Sequence, residues 1–340
     1  MTDGIRGIYI GIRTQGTTSQ LRADTLAELL PTANWQFIDT DEPFLSSHRI
    51  WKSLAFRLRT GPAVRAMNQH VLAQLGSTRF DVAWIDKGVN LWPDTVKKIR
   101  SLSKKLIYYT PDCSFESNRS RFFESTAQLY DLVVTTKSFE LERYTKLIPE
   151  DRILLTTQSY DEQQHRPTCD FNEKRKEAVL IGLCEPDREA CIEQLLNHGV
   201  PVRIGGQGWK RFLARHRRNS RLQFEGDRVF GDHYTDTISR AAVGLGLLTK
   251  RFPELHTTRT FEIPACGTAL ATPRNSETAK LFRDDEAIFF QDHLKLAQEL
   301  RMLLDDEQRL KRISAAGTAR IRAGSFSNSC VIRQILQFGV

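Results

Sequence analysis

The densest chemistry in this chain lies at 256–267, His-Thr-Thr-Arg-Thr-Phe-Glu-Ile-Pro-Ala-Cys-Gly. The spacing predicts a loop entering a short helix that ends at Gly267, with a cation, Arg259, and a carboxylate, Glu262, one turn apart. The free N–H groups and positive dipole end of a helix start attract phosphate, and Thr257 or Thr258 stands where a cap belongs. Arg259 can grip a diphosphate in two-pronged fashion, and Glu262 can accept hydrogen bonds from sugar hydroxyls. The plainer reading is a local helix salt bridge. A capping box is ruled out, because Phe261 and not Glu lies three after Thr258.

Other residues of the right type stand after apolar runs. Gly205-Gly206-Gln207-Gly208-Trp209 follows a strand-like segment and either lets backbone approach a nucleotide or makes a plain tight turn. Gly182 ends an earlier strand and has the same two readings. Asp112 sits in a Pro-Asp turn after a strand, as an Asx turn or as a catalytic or acceptor-orienting carboxylate. Asp86-Lys87-Gly88 ends another strand. Gly16-Thr17-Thr18 opens the first helix and can bring backbone donors toward a sugar phosphate. Asp39-Thr40-Asp41 has the form of a metal-holding Asp-x-Asp, but so short a pattern arises by chance. His233 and His256, standing alone, read first as structural groups. Phosphate-loop, Gly-x-Gly-x-x-Gly, His-Glu-x-x-His and Gly-x-Ser-x-Gly elements are absent, so ATP hydrolysis, simple dehydrogenation, zinc proteolysis and serine esterase chemistry lose their usual support.

The elements that must position these residues alternate. Strand-like runs at 5–12, 35–39, 82–86, 106–109, 132–135 and 153–155 are separated by helical patterns, including an amphipathic stretch at 50–75 broken at Gly61-Pro62. A polar, aperiodic stretch at 161–177 reads as an interdomain connection. A second series follows, with strands at 178–181, 202–204, 222–224, 243–248, 269–272 and 287–290, then helix nearly to the end. Strand–helix alternation means right-handed crossovers and parallel sheets, whose ligands bind beyond the carboxyl ends of the strands.

The 340 residues exceed what one core usually supports, so two domains are expected. No run is long and apolar enough to span a membrane, and 1–16 lacks the form of a signal peptide, so the protein is expected in the cytoplasm. The six cysteines form no Cys-x-x-Cys pair and suit reduced thiols, with neither disulfide nor zinc. The net charge of +8 is moderate, and much of the excess sits at 210–221, Lys-Arg-Phe-Leu-Ala-Arg-His-Arg-Arg-Asn-Ser-Arg. That segment reads first as a solvated helix face, and second as a contact for a peripheral membrane, a lipid-linked acceptor or a polyanion. No aromatic–basic interleaving marks specific nucleic-acid binding.

From Arg259-Thr-Phe-Glu262-Ile-Pro-Ala-Cys-Gly267, with Asn275-Ser-Glu277, Leu281-Phe282 and 286–290 after it, the chain resembles the CgeB-like, spore-maturation type glycosyltransferases, relatives of the retaining glycosyltransferase family 4. The likeness runs from about residue 178 to the C-terminal helices and takes in Gly182, 205–209 and 231–234; 86–88, 109–112 and 161–167 extend it more weakly. It implies an α/β fold of two Rossmann-like parallel-sheet domains facing across a cleft, the GT-B architecture. The expected parts are 1–165 on the acceptor side, 166–325 on the donor side, and a C-terminal helix, 326–340, packing back on the first domain.

The resemblance also implies transfer of a sugar from a nucleoside diphosphate sugar to an acceptor, with retention and without a required metal or other cofactor. Glu262 matches the second carboxylate of the family's Glu-x7-Glu element, and Glu254 stands at the first, although its glycine-rich surroundings are missing. The family's Lys-Gly phosphate loop is also missing, since Leu-Cys-Glu-Pro-Asp-Arg follows Gly182; Arg259 or Lys250-Arg251 must neutralise phosphate. The catalytic set is then Asp112, Glu254, Arg259 and Glu262. The donor-binding set is Gly16, Thr17, Gly182, Gly205, Gly206, Gly208, His256, Thr257, Thr258, Arg259 and Glu262. The acceptor, whether glycan, lipid-linked or protein, is not legible. The alternatives are a nucleotide-sugar epimerase or hydrolase of the same fold, needing a water-activating group, and a non-catalytic sugar- or polymer-binding protein of a surface-assembly system, which no nucleotide would stabilise.

Overall fold

The computed structural model describes residues 5–339; residues 1–4, the start of the stretch read for a leader signal, and Val340 lie outside the described residues. The chain divides into two compact units, one of Met1–Thr157 with Ser329–Val340 and one of Gln158–Asn328.

In the first unit the order is β1 (Arg6–Gly11), α1 (Thr18–Leu29), β2 (Asn34–Asp39), α2 (Glu42–Leu45), α3 (Arg49–Leu58), α4 (Pro62–Leu75) and β3 (Phe80–Asp86). After α5 (Pro93–Leu102) come β4 (Ser103–Thr110), α6 (Arg121–Thr126), β5 (Leu132–Thr135), α7 (Leu141–Thr145) and β6 (Ile153–Leu155). The sheet is wholly parallel in the order β2-β1-β3-β4-β5-β6, so the chain reverses its direction of winding between β1 and β3. The strands read as nearly unbroken apolar runs because helices cover both faces. One face packs Ile8, Ile10, Ile85 and Tyr108; the other packs Tyr9, Trp84 and Tyr109.

The second unit repeats the plan with β7 (Arg175–Ile181), α8 (Pro186–Asn197), β8 (Val202–Gly205), α9 (Lys210–Arg215), β9 (Leu222–Phe224), α10 (Gly231–Ser239) and β10 (Ala241–Leu245). Then follow α11 (Arg259–Ala265), β11 (Ala269–Pro273), α12 (Thr278–Leu281), β12 (Ile288–Phe290), α13 (His293–Leu303) and α14 (Glu307–Ala323). The order β12-β11-β10-β7-β8-β9 places the reversal between β7 and β10. Ligands of such sheets sit beyond the strand ends at that reversal. Gly244 of β10 lets α11 lie directly on the sheet, for a Cβ there would stand 2.5 Å from Ile263 Cγ2.

The polar stretch 161–177 folds onto the second unit instead of spanning between units. Tyr160 N–H donates to Phe326 O, Asn328 N–H donates to Tyr160 O, and Asn328 Nδ2 reaches the Asp161 carboxylate at 3.2 Å. These bonds put the division at 157/158, ahead of the expected 165/166. The last helix, α15 (Asn328–Gly339), returns to the first unit, where Val331, Ile332 and Ile335 join the cluster of Tyr9, Trp84 and Tyr109. The cation-rich stretch 210–221 is helical only over Lys210–Arg215, and its Phe212 is wholly buried, so no free apolar stripe exists there.

Candidate functional site

At the carboxyl end of β7, the chain turns at Gly182 and enters α8 through Pro186, whose missing N–H costs nothing in a first turn. Arg188 follows in that turn. Its side chain folds back over the loop, with Nη1 donating to Leu183 O at 3.1 Å and Nη2 3.6 Å from Glu185 Oε2. Arg259, the first residue of α11, arrives at the same place from the neighbouring strand. A Cβ on Gly182 would stand 3.2 Å from Arg188 Nη1, a tight contact, and 3.9 Å from Arg259 Nη1, so both guanidiniums close over this glycine.

Two cations brought together out of water repel each other. Burial holds the Arg188 pKa below its ordinary value, the Arg259 charge lowers it further, and the Glu185 and Glu254 carboxylates oppose the shift. The hydrogen bonding is incomplete as well. Arg188 Nε, Arg259 Nε and Thr257 Oγ1 are all buried without a hydrogen-bond partner. Buried polar atoms left unpaired cost about 1–3 kcal/mol each, so a cluster of them beside two cations is a cradle for an anion.

Glu262, three residues along α11 from Arg259, is 5% exposed. Tyr234 Oη donates to its Oε2 at 2.7 Å. His165 Nδ1 accepts the Asp161 N–H at 2.9 Å, which leaves its Nε2 to carry the proton, 3.8 Å from Glu262 Oε1. Burial, then the Glu262 charge, pushes the Tyr234 phenol well above its usual pKa, so it remains a donor. Glu262 makes no ion pair with Arg259 among the described residues, so the local salt bridge is not what holds this pair. Glu254 lies within electrostatic reach of Arg188, and Arg251 is drawn to Glu185 at 3.5 Å.

Several expected donor contacts take other forms. Thr258 is the N-cap of α11 but makes no side-chain cap bond, and Thr260 Oγ1 instead accepts the Thr257 N–H at 3.1 Å. Neither threonine hydroxyl caps the helix, because Thr258 is itself in helical conformation. His256 is spoken for: its Nε2 accepts the Gln158 N–H at 3.1 Å, and its Nδ1 therefore carries the proton toward Glu277 Oε2 at 2.5 Å. Both ring nitrogens of His256 are thus engaged within the fold. The close approach that Gly205, Gly206 and Gly208 permit is to the chain at 182–184. Gly182 N–H donates to Gly205 O at 2.8 Å, Cys184 N–H to Gln207 O at 2.9 Å, and Trp209 Nε1 to Gly182 O at 2.9 Å. Gly206, at φ 114°, would clash at 2.3 Å with Gly182 O if it bore a Cβ.

Sequence reasoning missed Arg188, Tyr234 and His165. Arg188 carried one usable signal, a cation in the first helical turn after the first strand of the second series. The other two come from distant segments and stood only within the 231–234 and 161–167 stretches of the likeness, with no role attached to them.

The first unit has its own cavity of about 360 Å³ at the β1/β3 reversal, lined among others by Asp86, Lys87, Asp112, Arg59, Lys52 and Asn118. Asp86 is consumed by Arg22, which grips it at 2.8 and 3.0 Å. Asp112 pairs with Lys87 at 2.9 Å. Arg59 and Lys87, at φ 52° and 66°, are the non-glycine residues of positive φ among the described residues, and both line this cavity. Backbone strain of this kind costs about 1–3 kcal/mol and collects at ligand sites. At Gly16 and Thr17 the expected backbone donors are used locally: Gly16 N–H goes to Gln20 Oε1 at 3.1 Å and Thr17 N–H to Thr14 O at 3.2 Å. Thr17 Oγ1 caps α1. Asp39 Oδ1 accepts the N–H groups of Arg13 and Asp41, a loop-holding role in place of metal binding.

Residues 188–337 match the family model described as Glycosyl transferase-like. No curated protein matches the chain. Among solved structures, HepE of Anabaena, described in complex with UDP-glucose, aligns with a TM-score of 0.66 at 12% identity over 98% of each chain. Sucrose-phosphate synthase of Thermosynechococcus elongatus gives 0.66 at 13% identity, also over 98% of each. The lipopolysaccharide outer core galactosyltransferase WaaB gives 0.60 at 12% identity over 98% of this chain and 99% of that one. The fold of the whole chain is thus GT-B, and the matched segment is of glycosyltransferase type.

Proposed function

We propose that this protein transfers a sugar from a nucleoside diphosphate sugar to an acceptor, with the diphosphate held between Arg188 and Arg259. The observation that carries the reading is the trio of buried, unpaired groups, Arg188 Nε, Arg259 Nε and Thr257 Oγ1, at the β7/β10 reversal. A diphosphate supplies the acceptors and the negative charge that this cradle lacks, and the two guanidiniums balance that charge. As the glycosidic bond breaks, charge gathers on the departing diphosphate; fixed cations already aimed at it stabilise that transition state without reorganisation. Glu262, presented by Tyr234, receives hydroxyls of the ribose or sugar, and Glu254 joins it from the loop before α11.

The complexes of HepE with UDP and UDP-glucose support a uridine donor. The Arg-Thr-Phe-Glu block supports the CgeB-like relation, and retention follows from that relation. Asp112 and Lys87 orient the acceptor in the cavity of the first unit. In a cytoplasmic enzyme, the exposed cations of 210–221 fit contact with a soluble polyanion.

Thermal shift with UDP, GDP, TDP and their sugars, with and without a chelator, tests the reading. One nucleotide at a hundredfold excess over its Kd stabilises a binding protein by about 2.7 kcal/mol. That response is expected to survive chelation and to vanish in Arg259→Ala. Indifference to every nucleotide would sink the reading.

A further inference from the structure

Between Glu42 and Asp81 the chain holds no acidic residue but six cations, Arg49, Lys52, Arg57, Arg59, Arg65 and Arg79. Helix α3 lies in this stretch and has residues seven apart on common rails, since seven residues make nearly two turns. Lys52 and Arg59 form the rail that lines the cavity of the first unit. Trp51 and Leu58 form the next, and Ile50 and Arg57 the one beyond. Those two outer rails face solvent: Ile50 is 66% exposed, Leu58 62% and Trp51 41%, and Leu45 just before the helix is 63% exposed. Arg49 and Arg57 are exposed and make no ion pair among the described residues. Exposed Ile50, Trp51 and Leu58 on one helix, flanked by the exposed cations Arg49 and Arg57, are poorly suited to water.

From this face we infer that α3 seats the first unit on an anionic phospholipid bilayer. Charge complementarity selects the occupant. A protein partner of ordinary composition would meet arginines with no carboxylate to steer its own cations. An anionic headgroup layer matches the cations, and its acyl boundary takes Ile50, Trp51 and Leu58. The contrast with 210–221 supports the choice. That segment is as basic, but its Phe212 is buried, its Leu213 packs on the core, and it exposes no large apolar side chain among the described residues. Bilayer contact therefore belongs to α3, independently of whether sugar transfer is the activity.

The test is co-sedimentation of the full chain with vesicles of phosphatidylcholine plus phosphatidylglycerol, against phosphatidylcholine alone. Binding is expected to the anionic vesicles only and to weaken as salt rises to about 0.5 M, where surface charges are screened within a few ångströms. The double variant Ile50→Glu/Leu58→Glu should bind at least about tenfold more weakly, and Arg57→Glu, at an exposed position, repeats the test should the first variant melt differently by circular dichroism. Lys210→Glu/Arg217→Glu/Arg218→Glu should bind as wild type. Failure to sediment with anionic vesicles, equal binding by the α3 variants, or a wild-type dimer that Ile50→Glu/Leu58→Glu dissolves while vesicle binding is absent would each overturn the inference.

Discussion

The guanidiniums of Arg188 and Arg259 converge on Gly182 from two different strands, their Nη1 atoms 3.2 and 3.9 Å from where a Gly182 Cβ would be. Without an anion, burial first and then the neighbouring Arg259 charge disfavour the charged form of Arg188 and lower its pKa. The free protein therefore carries a cost that the bound one recovers, a pattern expected of a site organised in advance for charge.

Arg188→Gln is accordingly predicted to shift stability and binding in opposite directions. Removing one buried cation should leave the melting temperature of the free protein unchanged or raised. UDP affinity should fall by about tenfold to a hundredfold, the worth of one charge-assisted contact of roughly 1.5–3 kcal/mol. Calorimetric titration and melting measured on the same sample check both halves. A variant that melts earlier and binds UDP normally would assign Arg188 to the fold alone.

Tyr234→Phe addresses the carboxylate. Burial keeps the phenol protonated, so its bond to Glu262 Oε2 persists across working pH. Its loss leaves a buried carboxylate short of a donor, at a cost of about 1–3 kcal/mol. The prediction is a lower melting temperature and a donor Kd weakened about tenfold, with the dye-free fold spectrum intact. Unchanged donor affinity would show that Glu262 is held in place by other means.

What was legible in the sequence follows from what each signal depends on. The strand positions were readable because parallel strands covered on both faces are short apolar runs, as 132–135 and 178–181 show. Arg259 and Glu262 were readable because a single helix turn fixes their spacing. The partners of Glu262 were not, since Tyr234 and His165 lie 28 and 97 residues away in sequence and meet it only through the sheet order. The capping expected of Thr257 or Thr258 was not readable because it depends on one backbone angle, and Thr258 is already helical at ψ −39°. His256 misled because its two satisfied nitrogens become visible only with Gln158 and Glu277 beside it.

Lys174 supplies a pH dependence in the second unit. Burial lowers its pKa from 10.5 to about 8, while its ammonium donates to Ser239 O, Ala241 O and Thr268 Oγ1. Below about pH 8 both folded and unfolded chains hold the proton, and the folded state bears the full cost of the buried charge, roughly 2–4 kcal/mol at 1.36 kcal/mol per pKa unit. Between about 8 and 10.5 the unfolded chain binds more protons than the folded one, so this contribution makes stability rise with pH. The comparison that isolates it is wild type against Lys174→Met. The stability difference should move in favour of wild type from pH 8 to 10 in denaturant titrations, and a flat difference would mean that Lys174 keeps its proton as readily in the fold as outside it.

Asp112 tests the assignment of the first unit. Although burial pushes its carboxyl up, Lys87 beside it, then Lys137 and Arg22, hold it below the usual carboxylate range, so it stays ionised at any pH where the enzyme would be assayed. On the proposed reading it is a fixed negative group placed to orient an acceptor hydroxyl, with Lys87, at φ 66°, paired to it at 2.9 Å. Asp112→Asn should reduce transfer by about a hundredfold, within the range for loss of a positioned acid–base group, while hydrolysis of the donor in the absence of acceptor continues at the wild-type rate. The separation matters more than the magnitude, because donor chemistry is assigned to Arg188, Arg259 and Glu262 in the other unit. Equal losses in transfer and hydrolysis would move Asp112 from acceptor handling to the donor step, and equal retention of both would return it to the turn it makes with Thr110.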